Sequence, residues 1–566
     1  MRGLSFSYIA ARTPKRASLF FDILLPPCYT VARRKEVDLL YDYLIQNARV
    51  LDGSGAPAFP ADVAVQGGTI AAVGHLEAAS AAHVIDAAGR YLTPGFIDVH
   101  RHGDGAIFLP DFGRPELAQG LTTILNGNCG LSLAPVRGAY QEALLQYLAP
   151  IVGGLPEGLD VSSLGAYQRQ LRAIPLRLNG GMLVGMGTLR ACVTGFEDRD
   201  LTDEEYYRLH HLLENALADG AAGVSLGLGY APECFYDTDG LIRALAPLRR
   251  SGVTVAVHMR QEGDGVVEAL REMLTVARAL ETPVQISHLK AIGKRNWRSA
   301  VPEMLALLED ARREGLDITC DVYPYPAGST QLIHVLPPEF QAGGMEALTA
   351  ALRDPERRAQ MRRRMETAQD FENISLLVGF ENIRPTSLQQ PKNKRFEGMT
   401  VPEIAASQGK DPYDALFDLL ASEHCAASMI DTITHEEDVD AIVRAPFAGI
   451  ISDATYPIGG LMHRRVFGTC TRILETYVRK RGILTLPDAV RKLTRLPADR
   501  FGLQGKGRVE AGADADLCLF DLENIHETDT WLAPEQLAQG MDYVFVNGVP
   551  AIAEGRFTDA RSGRVI

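Results

Sequence analysis

Two histidines, His100 and His102, end the apolar run of "YLTPGFIDVHRHGDG" (Tyr91 to Gly105) and stand beside Asp98 and Asp104. The chain has 13 histidines among 566 residues, so this pairing asks for a chemical reason. Side chains alternate with period two along a strand, which puts both imidazoles on one face. Other residues of ligand type also close apolar runs: Cys129 after "LTTILNGN", His258 in "TVAVHM", His288 in "PVQISH" and Asp453 in "AGIISD". Imidazole, thiolate and carboxylate together are the ligand set of a zinc-type site with one or two ions. Each residue alone says little, since a single buried Cys is more often a small core residue. Four histidines, one Cys and one Asp at the ends of five such runs point to a shared metal centre.

The elements that would have to position them alternate between short apolar strands and amphipathic helices. Candidate strands are "GFIDVH", "LTTILN", "GMLVGM", "AGVSLGL", "TVAVHM", "PVQISH", "DITCDVY" and "AGIISD", with helices such as "DEEYYRLHHLLENALADG" and "VPEMLALLEDARREG" between them. This order predicts an α/β fold, a parallel (β/α)8 TIM barrel, whose chemistry gathers at the C-terminal ends of the strands. There His100 and His102 end strand one, Cys129 follows strand two, His258 and His288 end strands five and six, and Asp453 ends strand eight. Alternating strands with Gly and Asp turns also occupy both chain ends, predicting a small β-sandwich domain built from the two of them. The expected divisions are 38–93 and 501–566 for the small β domain and 94–500 for the barrel. A charged, lid-like insertion is expected at about 329–372, between strands seven and eight. His75, His83, His210, His211, His424, His435 and His526 fall in helices, loops or the terminal domain and read as surface or packing residues; His334 and His463 stay open.

A formal charge of −14 argues against nucleic acid as a partner. No apolar run is long enough to span a bilayer, so no membrane association is expected. Eight scattered cysteines without a CxxC pair suggest a reducing cytoplasm. Residues 1–37 read as an extension of doubtful function, with a natural start near Val37. Composition and spacing leave the oligomeric state open.

The segments "PGFIDVHRH", "GNCGLSLAP", "VSLGLGYAP", "HMRQEGDG", "ISHLKAIGKRNW", "DVYPYPAGST" and "HRRVFGTCTRIL" resemble, in this order, the D-aminoacylase (N-acyl-D-amino-acid deacylase) family of the amidohydrolase superfamily. The closing "PADRFGLQGKGRVEAGADADLCLFD" is similar to the end of the same family, so the resemblance runs from about Asp38 to the C-terminus. It implies a tightly bound Zn2+ on Cys129, His258 and His288. A second, weaker metal position would lie at His100 and His102, with Cys129 bridging and Asp453 close by. Lys290, Tyr323, Tyr325 and Arg465 match positions that grip the substrate. Three departures concern specificity: "HGDG" where the family has a further acid, Met186 where a His precedes "GTLR", and Arg464 within "HRR" where the family has Pro.

The activity implied is zinc-dependent hydrolysis of the amide bond of N-acyl-D-amino acids, small molecules that give a carboxylate and a D-amino acid. Zinc lowers the pKa of a bound water to about 7, supplying hydroxide to attack the carbonyl. Asp453 at the end of strand eight is expected to act as general base and then acid, although "SDAT" also reads as a turn or helix cap. Arg465 and Lys290 suit a free carboxylate, Tyr230 is expected in the pocket wall, and Arg464 reads as a surface charge. Arg260 and Glu262 after strand five are expected near the pocket. The alternatives are a cyclic amidase of hydantoinase or dihydroorotase type, a dipeptidase, and a metal-free scaffold protein. The cyclic amidases bridge their metals with a strand-four lysine, which "GVSLGLGY" lacks.

Overall fold

The computed structural model describes residues 40–76, 79–531 and 533–566. The expected extension at 1–37 lies outside them. The first five strands, Leu40–Val50, Phe59–Gln66, Thr69–Gly74, Ser80–Asp86 and Tyr91–Pro94, join four from the other chain end: Leu517–Phe520, Met541–Val546, Val549–Ala553 and Arg556–Phe557. The two chain ends meet where Leu517–Phe520 pairs antiparallel with Tyr91–Pro94. The nine-stranded sheet curls round its own core of Ile45, Val63, Val65, Leu92, Leu517, Leu519 and Phe545.

Pro94 and Gly95 carry the chain from this sheet into the barrel. The Gly95 N–H donates to the Asp516 carbonyl at 2.7 Å. A Cβ on Gly95 would lie 2.2 Å from Thr122 Oγ1, so only glycine lets strand one leave the sheet at this angle.

Eight barrel strands follow in sequence order, every neighbouring pair parallel. They are Phe96–Asp98, Leu121–Asn126, Asn179–Met182 continued as Val184–Gly185, Val224–Gly227, Val255–His258, Val284–Ile286, Ile318–Val322 and Ala448–Ile450. All their residues but Thr319, at the edge of burial, are deeply buried, which is why they read as unbroken apolar runs rather than alternating ones. Strands eight and one share no ladder. They meet beyond their ends, where Asp453 N–H donates to the His100 carbonyl at 3.0 Å and Ala454–Thr455 pairs in parallel with Arg101–His102. The surrounding helices carry the expected signals: Asp203–Ala218 opens on a capping box between Thr202 and Glu205, matching "LTDEE".

The excursion between strands seven and eight is larger than 329–372. It includes a three-stranded antiparallel sheet, Ala327–Gln331 and Ile383–Thr386 flanking Ser428–Thr432, and helices from Gly344–Ala351 to Pro412–Ser422. The charged helix Pro355–Thr367 buries only Met361 and Met365. The charge density falls near 372, but the segment ends only where its last strand rejoins the first. Among the described residues no helix is long and apolar enough to cross a membrane.

Candidate metal centre and active site

Six side chains converge at the C-terminal rim in two groups sharing Cys129: His100, His102, Cys129 and Asp453, and Cys129, His258 and His288, with ligand atoms inside each group within 4.8 Å of one another. Cys129 Sγ stands 3.2 Å from His100 Nε2 and 3.4 Å from His288 Nε2, and His288 Nε2 stands 3.1 Å from His258 Nδ1. Asp453 Oδ1 lies 3.2 Å from His102 Nε2 and 3.4 Å from His100 Nε2.

Backbone geometry aims these groups. Cys129, His288 and Asp453 have φ of 53°, 35° and 52°, in the left-handed region that costs a non-glycine residue about 1 kcal/mol or more. Each turns its side chain inward just past a strand end. Strand four makes room for the first: a Cβ on Gly227 would sit 2.0 Å from the Cys129 carbonyl oxygen.

The donor set fits a borderline-soft divalent cation such as zinc. Burial alone would raise the Cys129 thiol, but the charges of His100 and His288 and hydrogen bonds from His100 and His102 take it well below its ordinary range, toward thiolate. Asp453 is likewise held well below the carboxylate range against its burial, chiefly by Arg465 and His102. His258 Nε2, His100 Nδ1 and His102 Nδ1 are buried without a hydrogen-bond partner. Crowded imidazole nitrogens around one sulfur cannot satisfy each other by sharing protons, and a cation among them resolves the conflict.

Outside the ligand groups, Glu262 organises the site. Its Oε1 lies 3.0 Å from His288 Nδ1 and its Oε2 accepts from Lys290 Nζ at 2.7 Å. Lys290 Nζ also stands 2.7 Å from His288 Nδ1, so carboxylate and ammonium together hold the outer edge of the ring while Nε2 faces the centre. Desolvation would raise Glu262, yet Lys290, His258 and His288 keep it ionised far below the usual range. Asp321 accepts the backbone N–H of His288 and lies 3.8 Å from His100 Nδ1.

The ligand groups open on a cavity lined by Tyr230, Glu262, Lys290, Tyr323, His334, Glu372, Asp431 and Arg465, with Leu131, Ile151, Ile292, Ile374 and Ile433 as its apolar wall. Arg465 is fully buried, with Nη1 2.9 Å from Asp453 Oδ2 and Nη2 donating to the Ser329 carbonyl at 3.0 Å. Its Nε and Nη1 make no well-directed hydrogen bond to the protein. Tyr323 lies under both cations, 4.9 Å from the Arg465 guanidinium and 5.8 Å from Lys290 Nζ, and the Tyr230 hydroxyl pairs with Thr330 at 3.0 Å.

Two sequence expectations are corrected. Tyr325 does not line the cavity: its ring packs on His463 and Trp531, and its hydroxyl donates to Glu527 at 3.3 Å. Pro324 separates the two tyrosines, and only Tyr323 faces the centre. Arg464 is not a free surface charge, since it pairs at 2.6 Å with both Glu527 and Asp529. Arg260 pairs with Glu272 and borders a neighbouring cavity. Of the two open histidines, His334 faces the active cavity and pairs with Glu372 at 3.2 Å, whereas His463 Nδ1 accepts the Arg465 backbone N–H at 2.9 Å. Glu372 and Asp431 were not singled out in the sequence, because both lie in the excursion whose fold no local pattern announces.

A model of the amidohydrolase family matches residues 236–552. D-aminoacylase of Alcaligenes xylosoxydans xylosoxydans is 35% identical over 93% of this chain and 97% of its own length. A solved structure of N-acyl-D-glutamate deacylase from Bordetella bronchiseptica, complexed with zinc and a phosphonate inhibitor, aligns at 30% identity over 93% of this chain and 99% of its own, with a TM-score of 0.77. A D-aminoacylase structure described through its binuclear metal centre aligns at 33% identity over the same shares, with a TM-score of 0.76. The ligand groups at the rim of a parallel barrel and these full-length matches agree that the chain belongs to the D-aminoacylase (N-acyl-D-amino-acid deacylase) family of the amidohydrolases.

Proposed function

We propose that the protein is a zinc-dependent hydrolase that splits the amide bond of N-acyl-D-amino acids into a carboxylate and a D-amino acid. The observation that carries this reading is the placement of the buried Arg465 guanidinium in one cavity with two ligand groups that share Cys129. Cys129, His258 and His288 would hold the tighter zinc, and His100 and His102, with Cys129 and Asp453, a second and weaker position. Zinc bound there supplies Lewis acidity at the scissile carbonyl and brings the pKa of water down to about 7.

The chain's own residues do the rest. Arg465 and Lys290, the two cations lining the cavity, receive the free carboxylate. Tyr323 and Tyr230 close the wall behind it. Asp453, kept ionised by Arg465, takes the proton of the attacking water and returns it to the departing nitrogen. Its neighbours His100 and His102 fix its orientation. Strand four, Val224-Ser225-Leu226-Gly227, has no lysine, which disfavours the cyclic-amidase alternative. We place the enzyme in the cytoplasm, where its free and mostly buried cysteines would stay reduced.

The test is turnover of N-acetyl-D- and N-acetyl-L-amino acids, hydantoins and dipeptides by the zinc-loaded enzyme. Hydrolysis of D-configured linear amides is expected. Activity confined to a cyclic amide would overturn the reading.

A further inference from the structure

Within the cavity one carboxylate has no partner. Asp431, on the strand Ser428–Thr432, is 2% exposed and lines the cavity, and no hydrogen bond or ion pair among the described residues reaches its oxygens. The other acids there are all engaged. Glu262 holds Lys290 and His288, Asp453 holds Arg465 and His102, and Glu372 accepts from the Glu262 backbone N–H at 2.6 Å and pairs with His334. A buried carboxylate left unpaired is costly, so its place in a ligand cavity points to a partner that arrives with the substrate. Burial lifts its pKa to about 6, with His334, Arg465 and Lys290 opposing and Glu372 adding to the rise.

Its position shows which half of the substrate it meets. Asp431 faces Gly328 across the antiparallel pair, and Ser329, the next residue, gives its carbonyl to Arg465. A Cβ on Gly328 would lie 3.2 Å from Asp431 Oδ1 and 3.3 Å from the Tyr323 hydroxyl, so carboxylate and phenol border the same gap. Asp431 therefore stands beside the groups assigned to the amino-acid carboxylate, not across the cavity from them.

We infer that Asp431 is a specificity-determining residue that selects N-acyl-D-amino acids with a cationic side chain, of the lysine, ornithine or arginine type. The inference rests on the deacylase reading above. Ile292, Ile374 and Ile433 line the cavity and suit the methylene stem of such a side chain. Asp431 and Glu372 together repel an acidic one.

The experiment measures kcat/KM for the N-acetyl derivatives of D-lysine, D-arginine, D-leucine and D-glutamate, with zinc-loaded wild type and Asp431→Asn. The substitution keeps the size of the side chain and removes only its charge. Wild type is expected to prefer the two cationic substrates to N-acetyl-D-glutamate by about 100-fold, and Asp431→Asn to erase most of that ratio through KM. Wild type that hydrolyses D-leucine or D-glutamate derivatives as well as the cationic ones would overturn the inference while leaving the deacylase reading intact. So would an Asn variant that keeps the wild-type ratio. Zinc-loaded wild type that hydrolyses none of the four would overturn both.

Discussion

At the scale of single residues, two substitutions separate metal binding from proton transfer. Cys129 belongs to both ligand groups, so Cys129→Ala is expected to empty both, reducing bound zinc to near zero by elemental analysis. His102 belongs to one, and His102→Ala should leave the zinc at Cys129, His258 and His288 in place. Asp453→Asn keeps a neutral oxygen toward His102 and removes the base. It should lower kcat by about 10²- to 10⁴-fold with the tighter zinc retained, and near-normal turnover with metal bound would remove Asp453 from the proton path. These residues were legible in the sequence because ligand chemistry is restricted to few residue types and each stood just past an apolar run. Glu262 was legible only as a neighbour, since its role depends on reaching His288 and Lys290 across two strands. Tyr325 misled for a related reason: adjacency to Tyr323 in "YPY" says nothing about which ring faces the cavity.

At the scale of elements, the sequence displayed eight strands and their order but not how the barrel shuts. Buried parallel strands are continuous apolar runs and announce themselves; a seam made by side chains does not. Asp98 accepts the backbone N–H of His100 at 3.2 Å and both the N–H and the hydroxyl of Ser452, taking the place of a ladder between strands one and eight. Arg101, set between the two histidines, pairs with Asp98 at 3.1 Å and with Glu116, and it donates to the Tyr456 hydroxyl. All four side chains are buried or largely so, and no charge within the cluster is left for solvent to relieve. Arg101→Leu would strand the Asp98 and Glu116 carboxylates, and removing one partner of a buried ion pair costs about 3–5 kcal/mol. Denaturant unfolding should register that loss as a lower midpoint in both zinc-loaded and zinc-free protein. A variant with wild-type stability would mean that strands one and eight are held elsewhere. The larger excursion escaped the sequence for a different reason: its last strand pairs with residues far back in the chain, as Thr432 with Ala327 and Asp431 with Ile383, with helices between them.

At the scale of the whole molecule, the barrel has two unlike ends. The C-terminal rim gathers paired charges around the ligand groups, while the opposite end buries the Lys492 amine without a carboxylate. Lys492 is 1% exposed, and its amine donates only to the backbone carbonyls of Ala445 and of Ala448, the latter at 2.8 Å where strand eight begins. Burial, with Arg491 nearby, pulls its pKa down from 10.5 to about 8. The sign of the linkage follows from proton counts. Between pH 8 and 10.5 the unfolded chain holds a proton on this amine that the native state lacks, so stability rises with pH across that window. Below pH 8 the native state must carry the buried charge, and the penalty is fully present, about 3 kcal/mol by the size of the shift. Lys492→Met keeps the apolar stem and abolishes the titration at the expense of two carbonyls left without a donor, a loss that does not vary with pH. Urea unfolding of both proteins at pH 7 and pH 11 isolates the term, because other titrating groups cancel in the difference. Wild type is expected to gain about 3 kcal/mol relative to the variant between those values. A difference that stays constant would mean that the Lys492 amine titrates in the native protein as it does in the unfolded chain.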